Sequence, residues 1–125
     1  MRRGSSRPRS RASTTARGRA AERRARLFYL LRGYRVLAVR ARPGGIEVDL
    51  VLRRGRRLVF CEVKAKSGER FGDPFEMVDR AKRHRLRRAA EAWLAANPRD
   101  AALEVSFEVA AVRGRGRLER LRDAF

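Results

Sequence analysis

Two carboxylates and a lysine stand inside apolar segments of this sequence. Asp49 lies within the run 46–52, whereas Glu62 and Lys64 lie within the run 58–64. An isolated carboxylate is costly to bury unless another group cancels its charge, and a divalent cation held by acidic oxygens is one such group. Because Lys64 follows Glu62 by two positions, both side chains should project from the same face of a strand.

This set of residues is typical of metal-dependent phosphodiester hydrolysis. The reaction needs an activated water and stabilisation of the charge that develops on phosphorus, and a carboxylate-held Mg²⁺ (or Mn²⁺) supplies much of both. Magnesium takes only one or two protein carboxylates, which Asp49 and Glu62 provide if their strands are neighbours. The backbone carbonyl of Val63 is a further candidate ligand, and Lys64 would orient the water or stabilise the charge. The alternative is a solvated strand face with a Glu62–Lys64 ion pair.

The segments around these residues predict an α/β domain. The expected elements are a helix over 19–32, strands over 34–39, 46–52 and 57–65, a helix over 73–96 and a strand over 103–112. The segment 117–125 fits either a short strand or a helical turn. Glycine at position 55 predicts an antiparallel hairpin between the second and third strands. This order favours a mixed sheet, made of an antiparallel meander plus an added strand, flanked by helices.

Several side chains are expected to be structural. Cys61 and Trp93 are spaced as core residues, and His84 should lie on a solvated or DNA-facing side of its helix. In the strand over 103–112, alternation separates two sets of side chains. One face should carry Val105, Phe107 and Val109, and the other should carry Ser106 and Glu108.

Positive charge dominates the composition. The 125 residues include 33 lysines and arginines against 14 acids, which gives a net charge of +19, and only three of the basic residues are lysines. Such a chain attracts polyanions, so nucleic acid is the predicted partner. Coding bias in the source genome would also enrich arginine. Residues 1–18 read as a disordered basic arm, either an additional phosphate contact or dispensable, and residues 19–125 as a single domain.

Other classes of protein fit the sequence poorly. No apolar run approaches the roughly 20 residues that a spanning helix needs, and the N-terminus lacks the apolar core of a signal peptide. We therefore expect a cytoplasmic protein without a membrane partner. The single cysteine, Cys61, excludes an intramolecular disulfide, and the presence of only one histidine, His84, argues against a structural zinc site.

An aspartate followed, after a hairpin, by Glu-x-Lys resembles the signature of the restriction-endonuclease-like superfamily. The wider sequence is similar to the YraN-like proteins, an uncharacterised bacterial family that resembles archaeal Holliday-junction resolvases. The segments that carry this likeness, in order, are 33–37, 47–51, 59–64, Phe71-Gly72, Pro74, Glu76, Lys82 and Leu86. The resemblance covers about residues 18–125 and implies a restriction-endonuclease-like core.

The resemblance also implies roles for the acids and for Lys64. Asp49 and Glu62 match metal-binding acids, and Lys64 matches the catalytic lysine. Glu22 matches a glutamate that lies near the metal site in junction resolvases, with an ordinary surface acid as the alternative. Glu47 is either an outer ligand or the partner of an arginine.

Basic residues near these acids are the predicted nucleic-acid contacts. Lys82 matches a family lysine that would reach a phosphate, and a lysine that only snorkels along the helix is the equal alternative. The predicted contacts are Lys82, Arg42, Lys66 and Arg70. The chain departs from the family pattern at Ile46, where the family has glycine, at Arg40, where an asparagine is expected, and at Ala65-Lys66, where Thr-Arg is usual.

The leading interpretation is a Mg²⁺-dependent endonuclease that acts on DNA, including branched or damaged DNA. A two-fold homodimer is expected if the likeness to junction resolvases extends to function, because a junction presents two equivalent strands. The alternative is a non-catalytic nucleic-acid-binding protein that retains the fold. A third interpretation is a protein-interaction factor whose charge reflects only the composition of its genome.

Overall fold

Two helices enclose a five-stranded sheet in the computed structural model, which describes residues 9–65 and 80–122. The helices are α1 (Arg9–Leu31) and α2 (Arg80–Ala96). The strands are β1 (Arg35–Ala41), β2 (Val48–Arg54), β3 (Arg57–Ala65), β4 (Glu104–Val112) and β5 (Leu118–Leu121). Single 3₁₀ turns stand at Pro43–Gly45, Pro98–Asp100 and Gly114–Gly116.

The strands are arranged in chain order across the sheet. β1, β2 and β3 form an antiparallel meander, β4 is parallel to β3, and β5 is antiparallel to β4. A parallel pair needs a long crossover connection, and α2 lies in the connection between β3 and β4. The predicted mixed sheet of a meander plus an added strand, flanked by helices, is confirmed.

Each face of the sheet packs against one helix, which is why β2 and β3 read as nearly continuous apolar runs. The core on the α1 side contains Ala25, Tyr29, Tyr34, Leu50, Leu52, Val59, Cys61 and Ala110. The core on the α2 side contains Val48, Val51, Leu58, Phe60, Leu86, Ala89 and Ala90. Cys61 is fully buried, as predicted, and the Trp93 ring meets the Phe60 ring edge-to-face.

The first helix is longer than the sequence predicts. It begins at Arg9 rather than near Arg19, so residues 9–18 are helical where the composition predicts a disordered arm. Half of this stretch is arginine or alanine, which are strong helix formers, and it contains no proline, while serine, threonine and glycine make up the other half. The segment predicted as ambiguous near the C-terminus contains the short strand β5. No helix in the described ranges is both long and apolar enough to cross a membrane.

The polar face of β4 is buried. Ser106 and Glu108 are 5% and 0% exposed, whereas Val105 is exposed. Glu108 pairs in register with Cys61 of β3 and so shares the face that α1 covers. Alternation separated the two sets of residues as predicted, but alternation alone did not reveal that both faces would be covered.

Glu108 is a fully buried acid that obtains its partners from three surrounding elements, α1, β3 and β5. The Tyr29 hydroxyl donates to Glu108 Oε1 at 2.8 Å, and arginine nitrogens of Arg120 and Arg57 lie 3.7 and 3.9 Å from the carboxylate. Burial, with added effects from Cys61 and Glu108, raises the pKa of Tyr29. The hydroxyl therefore stays protonated and available as a donor.

Replacing Tyr29 with phenylalanine should destabilise the fold. Glu108 Oε2 has no hydrogen-bond partner among the described residues, so losing the donor to Oε1 leaves a buried charge poorly solvated. We expect the free energy of unfolding to fall by about 1.5–3 kcal/mol, measured by urea denaturation. The control is Tyr34→Phe, in a neighbouring buried ring 5.1 Å away whose hydroxyl makes no hydrogen bond in the described structure. Equal losses in the two variants would contradict the role given to the Tyr29 hydroxyl.

Candidate active site

The candidate site lies where β2 begins and β3 ends. These points are adjacent because the strands are antiparallel, and the register that pairs Leu50 with Cys61 places Asp49 next to Glu62. Asp49 and Glu62 both line a cleft of about 390 Å³. The other residues that line this cleft are Gly45, Ile46, Glu47, Lys82, Arg85 and Leu86. Of the three side chains predicted to converge on one pocket, Asp49 and Glu62 line it, whereas Lys64 is not among its lining residues and reaches the site through Glu62.

Helix α2 brings a second lysine to the cleft. Leu86 is buried in the core, and Lys82, one helical turn earlier, projects from the same face. Lys82 Nζ lies 2.7 Å from Glu62 Oε2, and Lys64 Nζ lies 3.5 Å from the same oxygen. The charge of Glu62 is therefore compensated by two ammonium groups that are themselves about one-fifth exposed.

Asp49 is held by the backbone of the neighbouring strand. The Val63 N–H donates to Asp49 Oδ2 at 2.7 Å. Burial raises the pKa of Asp49 from its ordinary value of 3.8 to about 6; the Val63 hydrogen bond opposes this shift, and the charges of Glu62, Glu47 and Glu22 add to it. The ionised form of Asp49 is therefore held at a cost, which a bound cation would reduce.

The pKa values of the two lysines are shifted in opposite directions. Burial lowers the pKa of Lys64, and the neighbouring Lys82 lowers it further. Burial also acts to lower the pKa of Lys82, but its contacts with Glu62 and Lys64 and the charge of Asp49 raise it overall. Lys82 is consequently the firmly protonated member of the pair, and Lys64 is the member that gives up its proton more readily.

Glu22 approaches the site from α1. Its side chain is buried, and the guanidinium of Arg40 donates to it in a close ion pair. Arg40 has φ = 52°, which makes it the one non-glycine residue of the described chain in the left-handed region. The asparagine expected there from the family pattern tolerates this conformation better than arginine. Glu22 lies near enough to raise the pKa of Asp49, but its catalytic role stays a prediction.

Glu47 and Arg42 form the outer edge of the cleft. Glu47 lines the cleft with a side chain that is 53% exposed, and it pairs with Arg42 at 3.8 Å. The predicted pairing of Glu47 with an arginine is present, and its role as an outer metal ligand stays a prediction. Lys66 and Arg70, the other predicted nucleic-acid contacts, lie outside the described residues, as does the segment 71–76.

The available donors suit a metal that keeps much of its water. Across residues 9–65 and 80–122, no three His, Cys, Asp or Glu side chains group closely enough to hold an ion together. Asp49 and Glu62 form a two-carboxylate set, with the Val63 carbonyl as the predicted third donor. Such a set fits Mg²⁺, which needs only one or two protein carboxylates, better than it fits zinc, which prefers a closed set of nitrogen and sulfur ligands.

Sequence reasoning missed three features of this site. Arg85 lines the cleft, but nothing distinguished it from the many other arginines of α2. The position of Lys82 near the apolar stripe of the helix was noticed, but its partner was not, because the contact with Glu62 joins a helix to a strand. The pairing of Glu22 with Arg40 is likewise a contact between elements.

The fold and site together define an α/β sheet domain in which β2 and β3 bring two acids to one cleft, α2 adds Lys82, and Lys64 contacts the Glu62 carboxylate. The chain belongs to the uncharacterised protein family UPF0102, whose pattern it matches over residues 21–112. This match confirms the resemblance to the YraN-like family, and it includes every residue that lines the cleft.

Relatives in this family come from several bacteria. The chain is 41% identical to a UPF0102 protein of Methylobacterium nodulans over 117 residues, which cover 94% of this chain and 89% of the relative. It is 46% identical to a UPF0102 protein of Methylorubrum extorquens, covering 70% and 67% of the two chains. For a UPF0102 protein of Frankia alni the identity is 50%, with 69% and 72% covered.

Asp49→Asn should stabilise the metal-free protein at neutral pH. Asp49 keeps its proton up to about pH 6 when folded and only to about pH 3.8 when unfolded, so the free energy of unfolding should fall as the pH rises between these values. Asparagine removes this fall and can still accept the Val63 hydrogen bond. At pH 7.5 in EDTA we expect a gain of about 2 kcal/mol in the free energy of unfolding, measured by urea denaturation at several pH values.

The matched control is Glu119→Gln, an exposed acid on β5 that pairs with Arg113. It should leave the pH profile between pH 4 and 7 close to that of the parent. If Asp49→Asn leaves the dependence of the unfolding free energy on pH unchanged, the ionised Asp49 carboxylate does not destabilise the fold.

Proposed function

We propose that this protein is a Mg²⁺- or Mn²⁺-dependent endonuclease that hydrolyses phosphodiester bonds in DNA. The observation that supports the proposal is the meeting of Asp49 and Glu62 in one cleft, with Lys64 and Lys82 at the Glu62 carboxylate. Two acids can hold a metal ion that activates water and stabilises charge on the phosphoryl group, and a nearby lysine can add to that stabilisation.

Asp49, Glu62 and the carbonyl of Val63 are the residues that would hold the ion. Asp49 Oδ2 accepts the Val63 hydrogen bond, and Glu62 Oε2 faces the two lysines. The other oxygen of each carboxylate is therefore the candidate ligand. The raised pKa of Asp49 favours this assignment, because positive charge beside the carboxylate offsets its burial. When bound, the ion would activate water and stabilise charge on the phosphoryl oxygens.

The two lysines have separate roles in this proposal. Lys64, whose pKa is lowered by burial and by Lys82, is suited to orient the attacking water and to exchange a proton with it. Lys82 stays charged, holds Glu62 in place and can reach a substrate phosphate from the mouth of the cleft. Arg85 lines the same cleft and offers a guanidinium to that phosphate.

The charge of the whole chain is consistent with a polyanionic substrate. A net charge of +19 raises the local concentration of nucleic acid and makes binding strongly dependent on salt. DNA in the cytoplasm is the proposed target. Action on a four-way junction would further require a two-fold dimer, because the junction offers two equivalent strands for cleavage.

A non-catalytic nucleic-acid-binding protein is the second candidate, and one observation favours it. Glu62 is already compensated by Lys64 and Lys82, so its carboxylate is stable without a metal ion. In that case the acid–lysine cluster would only tie α2 to β3, and binding of DNA would proceed without cleavage.

The activity is tested with purified full-length protein and 5′-labelled linear, forked and four-way DNA, in Mg²⁺ or Mn²⁺ against EDTA. We expect metal-dependent nicking that Glu62→Gln and Lys64→Ala each reduce by at least about 100-fold, because each removes a group that acts on the reacting phosphate. Affinity for DNA in EDTA should change less than about threefold, since neither residue supplies the bulk of the phosphate contacts.

The matched control is Glu91→Gln, an exposed acid on α2 outside the cleft, which should cleave like the parent. Cleavage that survives Glu62→Gln would point to a contaminating nuclease. Folded parent protein that binds all three DNAs and cuts none would establish the second candidate function instead.

A further inference from the structure

A second concave site lies at the opposite end of the sheet, where β1 begins and β2 ends. It encloses about 310 Å³ and is lined by Gly33, Arg35, Arg53, Arg54 and Gly55, a group that we call the arginine pocket. Arg35 and Arg53 are directly paired across β1 and β2, so their side chains project from the same face of the sheet.

Backbone and aromatic contacts fix two of the three guanidinium groups. Arg53 Nε donates to the carbonyl of Gly55 at 2.9 Å. Arg54 Nη1 donates to the carbonyl of Arg32 at 3.0 Å, and its guanidinium lies 5.0 Å from the centre of the Tyr34 ring. These contacts orient the side chains in advance, which reduces the entropy lost when they bind a ligand.

None of these contacts is to a carboxylate, although Asp100 lines an adjoining depression together with Arg35 and Arg53. In the described ranges no carboxylate lies within 4.0 Å of Arg35, Arg53 or Arg54. Arginines elsewhere, such as Arg40 and Arg120, are paired with acids. Three like charges held around one depression repel each other, so an anion placed among them would be stabilised.

We propose that the arginine pocket binds a phosphate group of a nucleic-acid backbone, as an anchoring point separate from the acidic cleft. The planar guanidinium fork matches the oxygens of a phosphate and can donate two hydrogen bonds to it. A depression of this size admits a phosphate group but not a base pair together with its sugars. The pocket therefore recognises backbone rather than sequence.

The position of the pocket also sets a distance to the proposed point of cleavage, and this part of the inference rests on the proposed function. Arg53 is four residues from Asp49 along β2, which corresponds to about 13 Å at the rise of an extended strand. Val51, which lies between these two residues on the same face of β2, is buried under α2. A nucleic acid that occupies both the pocket and the acidic cleft would therefore pass around α2 rather than along β2.

The binding of phosphate is tested by fluorescence anisotropy of the full chain with a 30-base-pair DNA in EDTA, at salt concentrations from 50 to 200 mM. We expect Arg35→Ala/Arg53→Ala to weaken binding about tenfold and to reduce the slope of log K against log salt by about two, because two phosphate contacts are lost. Arg54 is left in place because it packs on Tyr34.

The control variant is Arg19→Ala/Arg23→Ala, which removes the same charge from exposed positions of α1 and should weaken binding less than about threefold. A second variant, Arg35→Lys/Arg53→Lys, keeps the charge and guards against misfolding of the alanine variant. It should keep a salt slope near that of the parent with weaker binding, because lysine cannot donate in the bidentate fork.

Equal losses in the alanine variant and its control would overturn the proposal, since net charge alone would then explain binding. Calorimetric titration with inorganic phosphate tests whether the pocket binds a free anion rather than the phosphate of a DNA backbone. Phosphate binding that the pocket substitutions abolish, together with unchanged DNA affinity, would also overturn it. Because every measurement is made in EDTA, the outcome is independent of whether the protein cleaves DNA.

Discussion

The hydrogen bond from the Val63 N–H to Asp49 Oδ2 is the contact on which the site depends. It joins the beginning of β2 to the end of β3, beyond the last regular pair of the ladder between them. A carboxylate at this point takes the place of a backbone acceptor, so Asp49 is fixed in position by the sheet itself. Glu62, on the adjacent strand position, is then brought into the same cleft without any loop having to adopt a special conformation.

Charge compensation between a helix and the sheet adds to this constraint. The crossover from β3 to β4 must place a helix on the sheet because the two strands are parallel, and the buried Leu86 sets the face that α2 presents. Lys82 is then delivered to Glu62, and the pair joins the helix to the end of β3. The same geometry that completes the fold therefore supplies the second cation of the site, which makes the position of α2 a condition for any chemistry there.

Local patterns predicted most of this architecture. Alternation, the glycine at the hairpin turn and the apolar stripe of α2 specified the meander, the crossover helix and the strand after it, and the two acids could be placed together because hairpin pairing follows from the sequence. Contacts between elements could not be read in this way. The burial of Glu108 depends on α1 covering its face of the sheet. The pairing of Glu22 with Arg40 depends on the left-handed backbone conformation of Arg40, which a sequence indicates only where it has glycine or asparagine. The helical state of residues 9–18 was missed because composition outweighed helix propensity in the prediction.

The distribution of arginines distinguishes Glu108 from Asp49. Glu108 is surrounded by Tyr29, Arg57 and Arg120, which provide a structural solution to a buried charge. Asp49 has no ion pair within 4.0 Å in the described structure, although the chain contains thirty arginines. The Val63 N–H and the charge of Lys82 both act on Asp49, yet burial outweighs them and the pKa of Asp49 stays raised. Glu108 is thus compensated by arginines, whereas the ionised form of Asp49 remains disfavoured, which is the property that the proposed metal site would use.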